Sequence, residues 1–254
     1  MDTQTRLERP AYLHENEAFY SEFWAERDHY SSRFPNHDEA VRAGPVLECL
    51  STLAERHGWL ARPPRLLDAG CGRGWLTHLA SLYGYAEGCE PVAGAVALAR
   101  QLFPDVRFHP LTPGELRRTP GFDPFDVVIC SEVIEHLPRE SQASFVTDLR
   151  ECLVPGGYLI LTTPRGEMQA PAVATSNQPI EHWLSERELE RMLRNAGLTP
   201  ELRRRAYPFG VRALHRWLAR VERWFGSPQR RSTAGVALDY RDSLYQIWCA
   251  RRRD

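Results

Sequence analysis

The stretch LLDAGCGRG, residues 66–74, decides the fold of this chain. Apolar residues lead into Asp68, and glycines follow at positions 70, 72 and 74. An apolar run that ends in a glycine-rich turn is typical of a buried parallel strand with a ligand at its carboxyl end. Glycine lets the backbone turn sharply there and approach the ligand closely. The acidic residue disfavours a pyrophosphate ligand and favours a ligand that carries an amine.

The same alternation of strand and helix continues along the chain. Five strand candidates lie between residues 64 and 164: RLLDAG, YAEGCE, VRFHPL, FDVVIC and YLILTTP. Helix candidates follow the first, second and fourth of these strands: GWLTHLASLYG at residues 74–84, VAGAVALARQLF at 92–103 and SQASFVTDLRECL at 141–153. This alternation predicts βαβ units in a parallel sheet with helices on both faces. Further along, SERELERMLRNAGL predicts a helix with Ser185 as its N-cap and Gly197 as its stop. TPELRRRAYPFG and SLYQIWCARRR are later strand candidates.

The second strand candidate ends in an acidic residue, Glu90, which follows Gly72 by 18 positions. A carboxylate at that place accepts two hydrogen bonds from ribose hydroxyls, each worth about 1.5–3 kcal/mol. Together with Asp68, Glu90 predicts a nucleoside ligand that carries an amino acid and no phosphate.

Four blocks of the sequence resemble the class I S-adenosylmethionine-dependent methyltransferases: LLDAGCGRG, GCEPVAGAVALAR, FDVVICSEVIEHL and LVPGGYLILTTP. They occur in that family's order and spacing and cover residues 64–164, the catalytic core. The resemblance implies an α/β fold with a Rossmann-like, doubly wound, seven-stranded sheet that is mostly parallel with an antiparallel last strand. It also implies S-adenosylmethionine as the cofactor and S-adenosylhomocysteine as its product.

The chain is predicted to divide into two parts. Residues 1–62 are expected to form a helical N-terminal lid, and residues 63–254 the methyltransferase domain. Within that domain, residues 200–254 hold the C-terminal strands and a basic amphipathic helix inserted before the last strand, in residues 211–225.

The resemblance assigns the cofactor residues to the carboxyl ends of the strands: Asp68, Gly70, Cys71, Gly72, Glu90, Thr112 and Ser131. Asp68, the glycines and the Cys71 backbone line the methionine moiety, Glu90 holds the ribose, and Ser131 borders the methionine end. Many relatives carry an Asp that contacts the adenine amine where this chain has Thr112, and Pro113 after it has no N–H. This departure is expected to weaken the adenine contact.

The candidate catalytic residues lie in SEVIEHLP, residues 131–138. A hydroxyl acceptor must lose its proton, and His136 is a suitable base, with Glu135 beside it. The alternative is that both residues only hold the loop in place.

A second interpretation of this cluster is a metal site. Ubiquinone-pathway O-methyltransferases and small-RNA 3′-end 2′-O-methyltransferases share the pattern E-x-x-E-H here, and the RNA enzymes add a later histidine. By this resemblance Glu132, Glu135, His136 and His182 would hold Mg²⁺ or Mn²⁺. We favour the interpretation without a metal ion, and a bound divalent ion is the alternative.

The acceptor is predicted from charge and aromatic content. Residues 200–254 hold 13 Arg against 5 acidic residues, and the rest of the chain holds 19 Arg against 28. The acidic balance of the larger part disfavours nucleic acid. The basic C-terminal part favours an anionic acceptor, and the aromatic-rich YLHENEAFYSEFWAERDHY favours an aromatic one. Four roles are open for the helix predicted at residues 211–225. It could be an insertion packed on the core, a contact between the subunits of a homodimer, a helix that lies on a membrane surface, or a basic rim around the acceptor.

Composition limits the remaining function classes. The sequence contains no run of about 18 apolar residues, which a membrane span would require, and the N-terminus lacks the apolar core of a signal peptide. We therefore expect a cytoplasmic protein. Six cysteines without C-x-x-C spacing argue against zinc and disulfides, and the chain has no lysine to serve as a base. By its resemblance to the ubiquinone O-methyltransferase-like branch of the family, the chain is predicted to be a bacterial methyltransferase that methylates a small-molecule hydroxyl in a biosynthetic pathway. The alternatives are metal-dependent 2′-O-methylation of RNA ends and a non-catalytic cofactor-binding scaffold.

Overall fold

A seven-stranded sheet organises the protein. The computed structural model describes residues 19–20, 32–169, 180–208 and 243–253. The strands are β1 (Arg65–Ala69), β2 (Tyr85–Cys89), β3 (Arg107–His109), β4 (Phe125–Ser131), β5 (Leu153–Pro164), β6 (Leu198–Pro208) and β7 (Ser243–Arg252). Their order is β3-β2-β1-β4-β5-β7-β6. In this spatial order, each pair of adjacent strands from β3 through β5 is parallel, and β7 runs antiparallel to both of its neighbours, β5 and β6. The predicted α/β fold with an antiparallel last strand is confirmed.

The described helices connect these strands. They are α1 (His37–His57), α2 (Trp75–Ala80), α3 (Ala93–Leu102), α4 (Pro113–Leu116), α5 (Arg139–Glu151) and α6 (Glu186–Asn195), with short 3₁₀ turns at Ile134–His136 and Gly166–Met168. α1 begins at the N-cap Asn36 and ends at Gly58, whose left-handed φ of 62° closes the helix. α6 begins at Ser185, which caps the helix through a reciprocal pair of hydrogen bonds with Glu188, as predicted from sequence.

The sheet separates two apolar layers. Successive strand side chains point to opposite faces, so Leu66 packs with α1 residues Val46 and Leu50, whereas Leu67 packs with Leu149 of α5 and Leu189 of α6. Both faces are therefore covered, and the central strands read as continuous apolar runs rather than alternating ones. This packing gathers the carboxyl ends of β1, β2 and β4 at one edge of the sheet.

Two element boundaries differ from the sequence-based expectation. The fifth strand was expected to start at Tyr158 after a helix through Leu153, but β5 starts at Leu153, which pairs with Phe125. The register shifts between Phe125 and Val127, and Gly156 has a left-handed φ of 76°, so the PGG turn interrupts the strand without ending it. The helix predicted from GWLTHLASLYG, residues 74–84, corresponds to α2, which ends earlier, at Ala80.

Two predicted features lie outside the described residues. The aromatic N-terminal helix is described only at Phe19 and Tyr20, which are helical, and the basic helix at residues 211–225 is not described. In the part of the chain that is described, no helix combines the length and the apolar character of a membrane span.

Candidate active site

The predicted site residues meet where the strand order reverses. β1 lies between β2 and β4, and crossovers leave β1 in opposite directions at this point. Asp68 pairs with Gly88 of β2 and with Ile129 of β4, so the segments after these three strands lie side by side. Open parallel sheets bind ligands in the crevice at such a switch point.

The glycine-rich loop after β1 needs glycine for steric reasons. Gly70, Gly72 and Gly74 have left-handed φ values of 79°, 49° and 83°. A Cβ atom on Gly70 would lie 2.3 Å from Cγ2 of Val133, in the loop that follows β4. The N–H of Gly70 donates to the Cys89 carbonyl at 2.8 Å and holds the loop against the end of β2.

The two predicted cofactor carboxyls, Asp68 and Glu90, are buried at this edge. Asp68 accepts a hydrogen bond from the Thr77 hydroxyl at 2.7 Å, and burial raises its pKa to about 6. Glu90 accepts from the N–H of Val92 at 3.0 Å and of Gly72 at 3.3 Å, and burial raises its pKa to about 7. Neither carboxyl has an ion-pair partner among the described residues. The pair therefore fits a ligand that supplies an ammonium group and hydroxyl donors, as S-adenosylmethionine does.

Three other predicted cofactor residues occupy the same edge. Thr112 is the N-cap of α4: its hydroxyl accepts from the N–H of Glu115 at 3.2 Å, and its own N–H donates to the Glu115 carboxylate at 2.7 Å. The structure thus gives Thr112 a capping role, and an adenine contact there stays a prediction. Ser131 ends β4, with its hydroxyl 2.9 Å from that of Thr162. Cys71 is buried in the loop, where desolvation raises the pKa of its thiol.

Glu132 has an unusual backbone at the start of the β4 loop. Its φ is 58°, and it is the one non-glycine residue with a positive φ among those described. Thr162 holds it there: the Glu132 N–H donates to the Thr162 carbonyl at 3.1 Å, and the Thr162 hydroxyl donates to the Glu132 carboxyl at 2.8 Å. Burial, and then the charge of Glu135, raise the pKa of Glu132 to about 8. Strained backbone of this kind is concentrated at functional sites.

His136 has one ring nitrogen, Nε2, that makes no hydrogen bond to any of the residues the structure describes. Its Nδ1 lies 3.1 Å from the Ile180 carbonyl, which can only accept, so Nδ1 carries the proton and Nε2 is the basic nitrogen. Oε1 of Glu135 lies 3.8 Å from Nε2. Burial lowers the pKa of His136, which keeps the ring neutral near pH 7. The Tyr20 ring lies beside it, with the ring centroids 6.1 Å apart.

Glu135, the second candidate catalytic residue, is 2% exposed. Its carboxyl accepts from the Thr163 hydroxyl at 3.0 Å, and burial raises its pKa to about 7. Its carbonyl accepts from the N–H of His182 at 2.7 Å, which ties the β4 loop to the segment before α6.

The metal interpretation is not supported by the geometry. The four proposed ligands Glu132, Glu135, His136 and His182 are all described, and the His182 side chain is exposed while Glu135 is buried. No group of three or more His, Cys, Asp and Glu side chains arranged to hold a metal ion occurs in the described ranges. The His182 backbone, rather than its imidazole, contacts this loop.

Arg42 is a site residue that sequence reasoning missed. Its guanidinium donates to the Tyr245 hydroxyl at 3.3 Å and lies over that ring, 5.3 Å from the centroid. Burial lowers the pKa of Arg42, but the charge of Glu132 and the contact with Tyr245 outweigh it and raise the value. Nothing in the sequence distinguishes this arginine from the other 31, because α1 and β7 meet only in the folded chain.

Comparison with known proteins identifies the family of the chain. A family model described as a methyltransferase domain matches residues 41–202, more than half of the chain. Its match begins inside the predicted 1–62 lid, and the boundary at residue 62 stays a prediction.

Curated relatives carry methyltransferase names. A ubiquinone biosynthesis O-methyltransferase of Cereibacter sphaeroides is 32% identical over 157 residues, which cover 54% of this chain and 60% of that protein. One from a Caulobacter species is 30% identical over 115 residues, 43% of this chain and 44% of that protein. The chain thus spans about half the length of the curated relatives it matches.

Solved structures share the fold. The N-methyltransferase NodS of Bradyrhizobium japonicum, solved with S-adenosylhomocysteine, has a TM-score of 0.63 at 16% identity and covers 94% of this chain and 100% of its own. The 1,6-didemethyltoxoflavin-N1-methyltransferase of Burkholderia thailandensis, also solved with S-adenosylhomocysteine, has a TM-score of 0.58 at 19% identity and covers 97% and 92%. With the family match and the geometry of the switch point, these likenesses establish that the chain belongs to the class I S-adenosylmethionine-dependent methyltransferases.

Proposed function

We propose that this protein transfers a methyl group to a hydroxyl oxygen of a small molecule, with His136 as the base. The observation that carries the proposal is the hydrogen bond from Nδ1 of His136 to the Ile180 carbonyl at 3.1 Å. This bond fixes the tautomer and leaves Nε2 unprotonated, which is the state that a general base requires.

The cofactor half of the site supports the same proposal. Asp68 and Glu90 would hold the amine and the ribose of S-adenosylmethionine, and the glycine-rich loop allows its backbone to approach closely. When bound, the cofactor supplies an electrophilic methyl group.

The β4 loop handles the acceptor's proton. His136 takes it at Nε2, and Glu135 at 3.8 Å stabilises the imidazolium that results. Since Glu135 has a pKa of about 7, a substantial fraction of its carboxyls is ionised at neutral pH. Ser131 and Thr162, whose hydroxyls lie 2.9 Å apart, are placed to orient an acceptor hydroxyl beside the loop.

The names of the curated relatives favour oxygen as the methyl acceptor, because ubiquinone biosynthesis O-methyltransferases recur among the curated matches. An acceptor with an aromatic ring would be accommodated by Tyr20 and Tyr245, whose rings lie next to His136 and Arg42 respectively.

A paired acceptor panel tests the proposal. Phenols, catechols and hydroxy acids, each with its amine analogue, are incubated with S-adenosylmethionine, and S-adenosylhomocysteine and the methylated product are quantified by mass spectrometry. We expect transfer to hydroxyl acceptors. His136→Ala is expected to lower turnover by about 10²-fold or more and to keep cofactor affinity, because the base contributes only to proton removal.

His57→Ala is the matched control, since this histidine contacts Tyr158 and lies away from the switch point. Full activity in His136→Ala would contradict the base assignment, and transfer only to the amine analogues would contradict O-methylation. A parallel set with a chelator separates the metal-dependent alternative, which requires loss of activity and recovery with Mn²⁺.

A further inference from the structure

The glycine-rich loop contains an arginine that is completely buried. Arg73 stands between Gly72 and Gly74, both left-handed, and its side chain is 0% exposed. A buried guanidinium must be paired, because desolvation of an unpaired charge is strongly unfavourable. Neither the cofactor carboxyls nor the acceptor side of the site contributes its partner.

Its partner is Glu39, in the first turn of α1. Nη1 of Arg73 donates to Oε1 of Glu39 at 2.5 Å, and Nη2 donates to Oε2 at 2.8 Å. Both side chains are nearly inaccessible, and the two parallel hydrogen bonds fix their relative orientation. The ion pair joins positions 34 residues apart in the chain.

The rest of the guanidinium binds the segment just before α1. Nε donates to the Ser32 carbonyl at 2.7 Å, and Nη2 donates to the Phe34 carbonyl at 3.1 Å. Glu39 also accepts from the N–H of Asn36 at 2.7 Å, as part of the capping box that starts α1. One side chain of the loop thus holds the start of α1 at three separate points.

The loop needs such an anchor. Three glycines with left-handed φ give residues 70–74 a large conformational freedom when unbound, and ordering them on ligand binding would reduce affinity. α1 is rigid by contrast, since its apolar face is part of the core under the sheet. α1 also carries Arg42, one helical turn after Glu39, and the charge of Glu132 on the acceptor side raises the pKa of Arg42.

We propose that Arg73 and Glu39 are positioning residues whose buried ion pair holds the glycine-rich loop in its cofactor-binding conformation and ties that conformation to the placement of α1. The pair acts through the loop backbone and does not touch the reacting atoms. The inference goes beyond the proposed function, because it concerns cofactor retention whatever the acceptor is.

The test must separate positioning from stability. Arg73→Met combined with Glu39→Gln removes both charges together and retains the capping hydrogen bond to Asn36, so no buried charge is left unpaired. We expect this double variant to fold, with a melting temperature close to the parent's. We expect the dissociation constant for S-adenosylhomocysteine, measured by titration calorimetry, to rise at least tenfold.

The matched control is Arg204→Met combined with Glu48→Gln. This pair joins the same helix to β6, with Nε of Arg204 3.0 Å from Oε1 of Glu48, and does not contact the loop. The affinity of this control variant for S-adenosylhomocysteine is expected to match the parent's.

Hydrogen exchange gives a second readout. S-adenosylhomocysteine is expected to protect the backbone amides of residues 32–42 from exchange in the parent and in the control, but not in the Arg73/Glu39 variant.

Affinity within twofold of the parent in the folded double variant would overturn the proposal and leave the pair a purely structural feature. Arg73→Lys covers the case in which the double variant does not fold, because it keeps the charge and loses the two-pronged geometry. At least threefold weaker binding supports positioning, and unchanged binding overturns it. None of these binding measurements requires a methyl acceptor. A result that overturns the positioning role can therefore be distinguished from one that overturns the O-methylation proposal.

Discussion

The two halves of the site are built in different ways. The cofactor half uses residues 68–90, one strand-turn-helix-strand unit in which Asp68 and Glu90 are placed by neighbouring parallel strands. The acceptor half draws on residues from Arg42 to Tyr245, held together by α1, the β4 loop, the segment before α6 and β7. A local motif therefore supplies the carboxyls proposed to hold the cofactor, while long-range packing assembles the residues proposed to contact the acceptor.

The chemistry differs as well. The cofactor half offers buried carboxyls without a cationic partner among the described residues, and glycines with the backbone freedom to approach a ligand. The acceptor half combines raised-pKa carboxyls, a neutral histidine and an arginine. If this contrast is correct, substitutions in the first half change cofactor affinity, and substitutions in the second change turnover.

The largest expected effect is that of Gly70→Ala. The new Cβ would meet Val133 at 2.3 Å, and alanine at a φ of 79° is strained, so we expect about 2–5 kcal/mol of destabilisation and loss of S-adenosylhomocysteine binding. Thermal unfolding with and without the ligand measures both. Gly94→Ala, in α3, is the control, because no atom lies within 4 Å of the added Cβ. This substitution should leave the free energy of unfolding unchanged or raise it. A Gly70→Ala protein that unfolds and binds like the parent would contradict the loop geometry.

A smaller effect is expected from Glu90→Gln. The amide keeps the shape but loses the charge and one strong acceptor, so affinity for S-adenosylhomocysteine should fall by about 10- to 100-fold. Turnover at saturating cofactor should change much less. Glu87→Gln is the control: this residue lies in β2, three positions before Glu90, its carboxylate is 2.7 Å from Nε2 of His109, and the variant should bind as the parent does. Equal affinity in both variants would mean that Glu90 does not hold the cofactor.

The smallest effect is the pH dependence of stability without ligand. Asp68, Glu90 and Glu132 have pKa values of about 6, 7 and 8, above those of the unfolded chain. Between pH 5 and 8 these folded-state carboxyls hold protons that the unfolded chain has released, so they make the unfolding free energy fall as pH rises. Each retained proton contributes up to about 1.4 kcal/mol per pH unit, or about 3 °C in melting temperature.

The difference between parent and Glu90→Gln is the readout for this prediction, because His136, with its lowered pKa, acts in the opposite sense near pH 6. The melting temperature of the variant should fall less steeply over pH 5–8. Parallel curves would show that Glu90 ionises normally in the folded protein, which would contradict the description of Glu90 as a buried carboxyl without a cationic partner among the described residues.

Much of the fold was predictable because its signals are local. The apolar run before Asp68, the N-cap at Ser185 and the glycine stop at Gly58 all act within a few residues, and the structure contains each of them. The predicted start of β5 was wrong because Leu153 pairs with Phe125 and so joins the sheet, a contact that the PGG turn does not reveal. The turn residues favoured a strand that begins after them, but the long-range pairing sets the boundary before them.

The site divides along the same line. By itself the sequence determined the succession of strands and helices in the core motif, and it placed Asp68, Glu90 and His136 at or just after the carboxyl ends of strands. Only the tertiary structure decided that the His182 side chain is exposed, that Arg42 meets Tyr245, and that Arg73 of the loop pairs with Glu39. The reason is physical: backbone conformation and strand polarity depend on near neighbours, whereas ion pairs and acceptor contacts join residues that meet only after the core has packed.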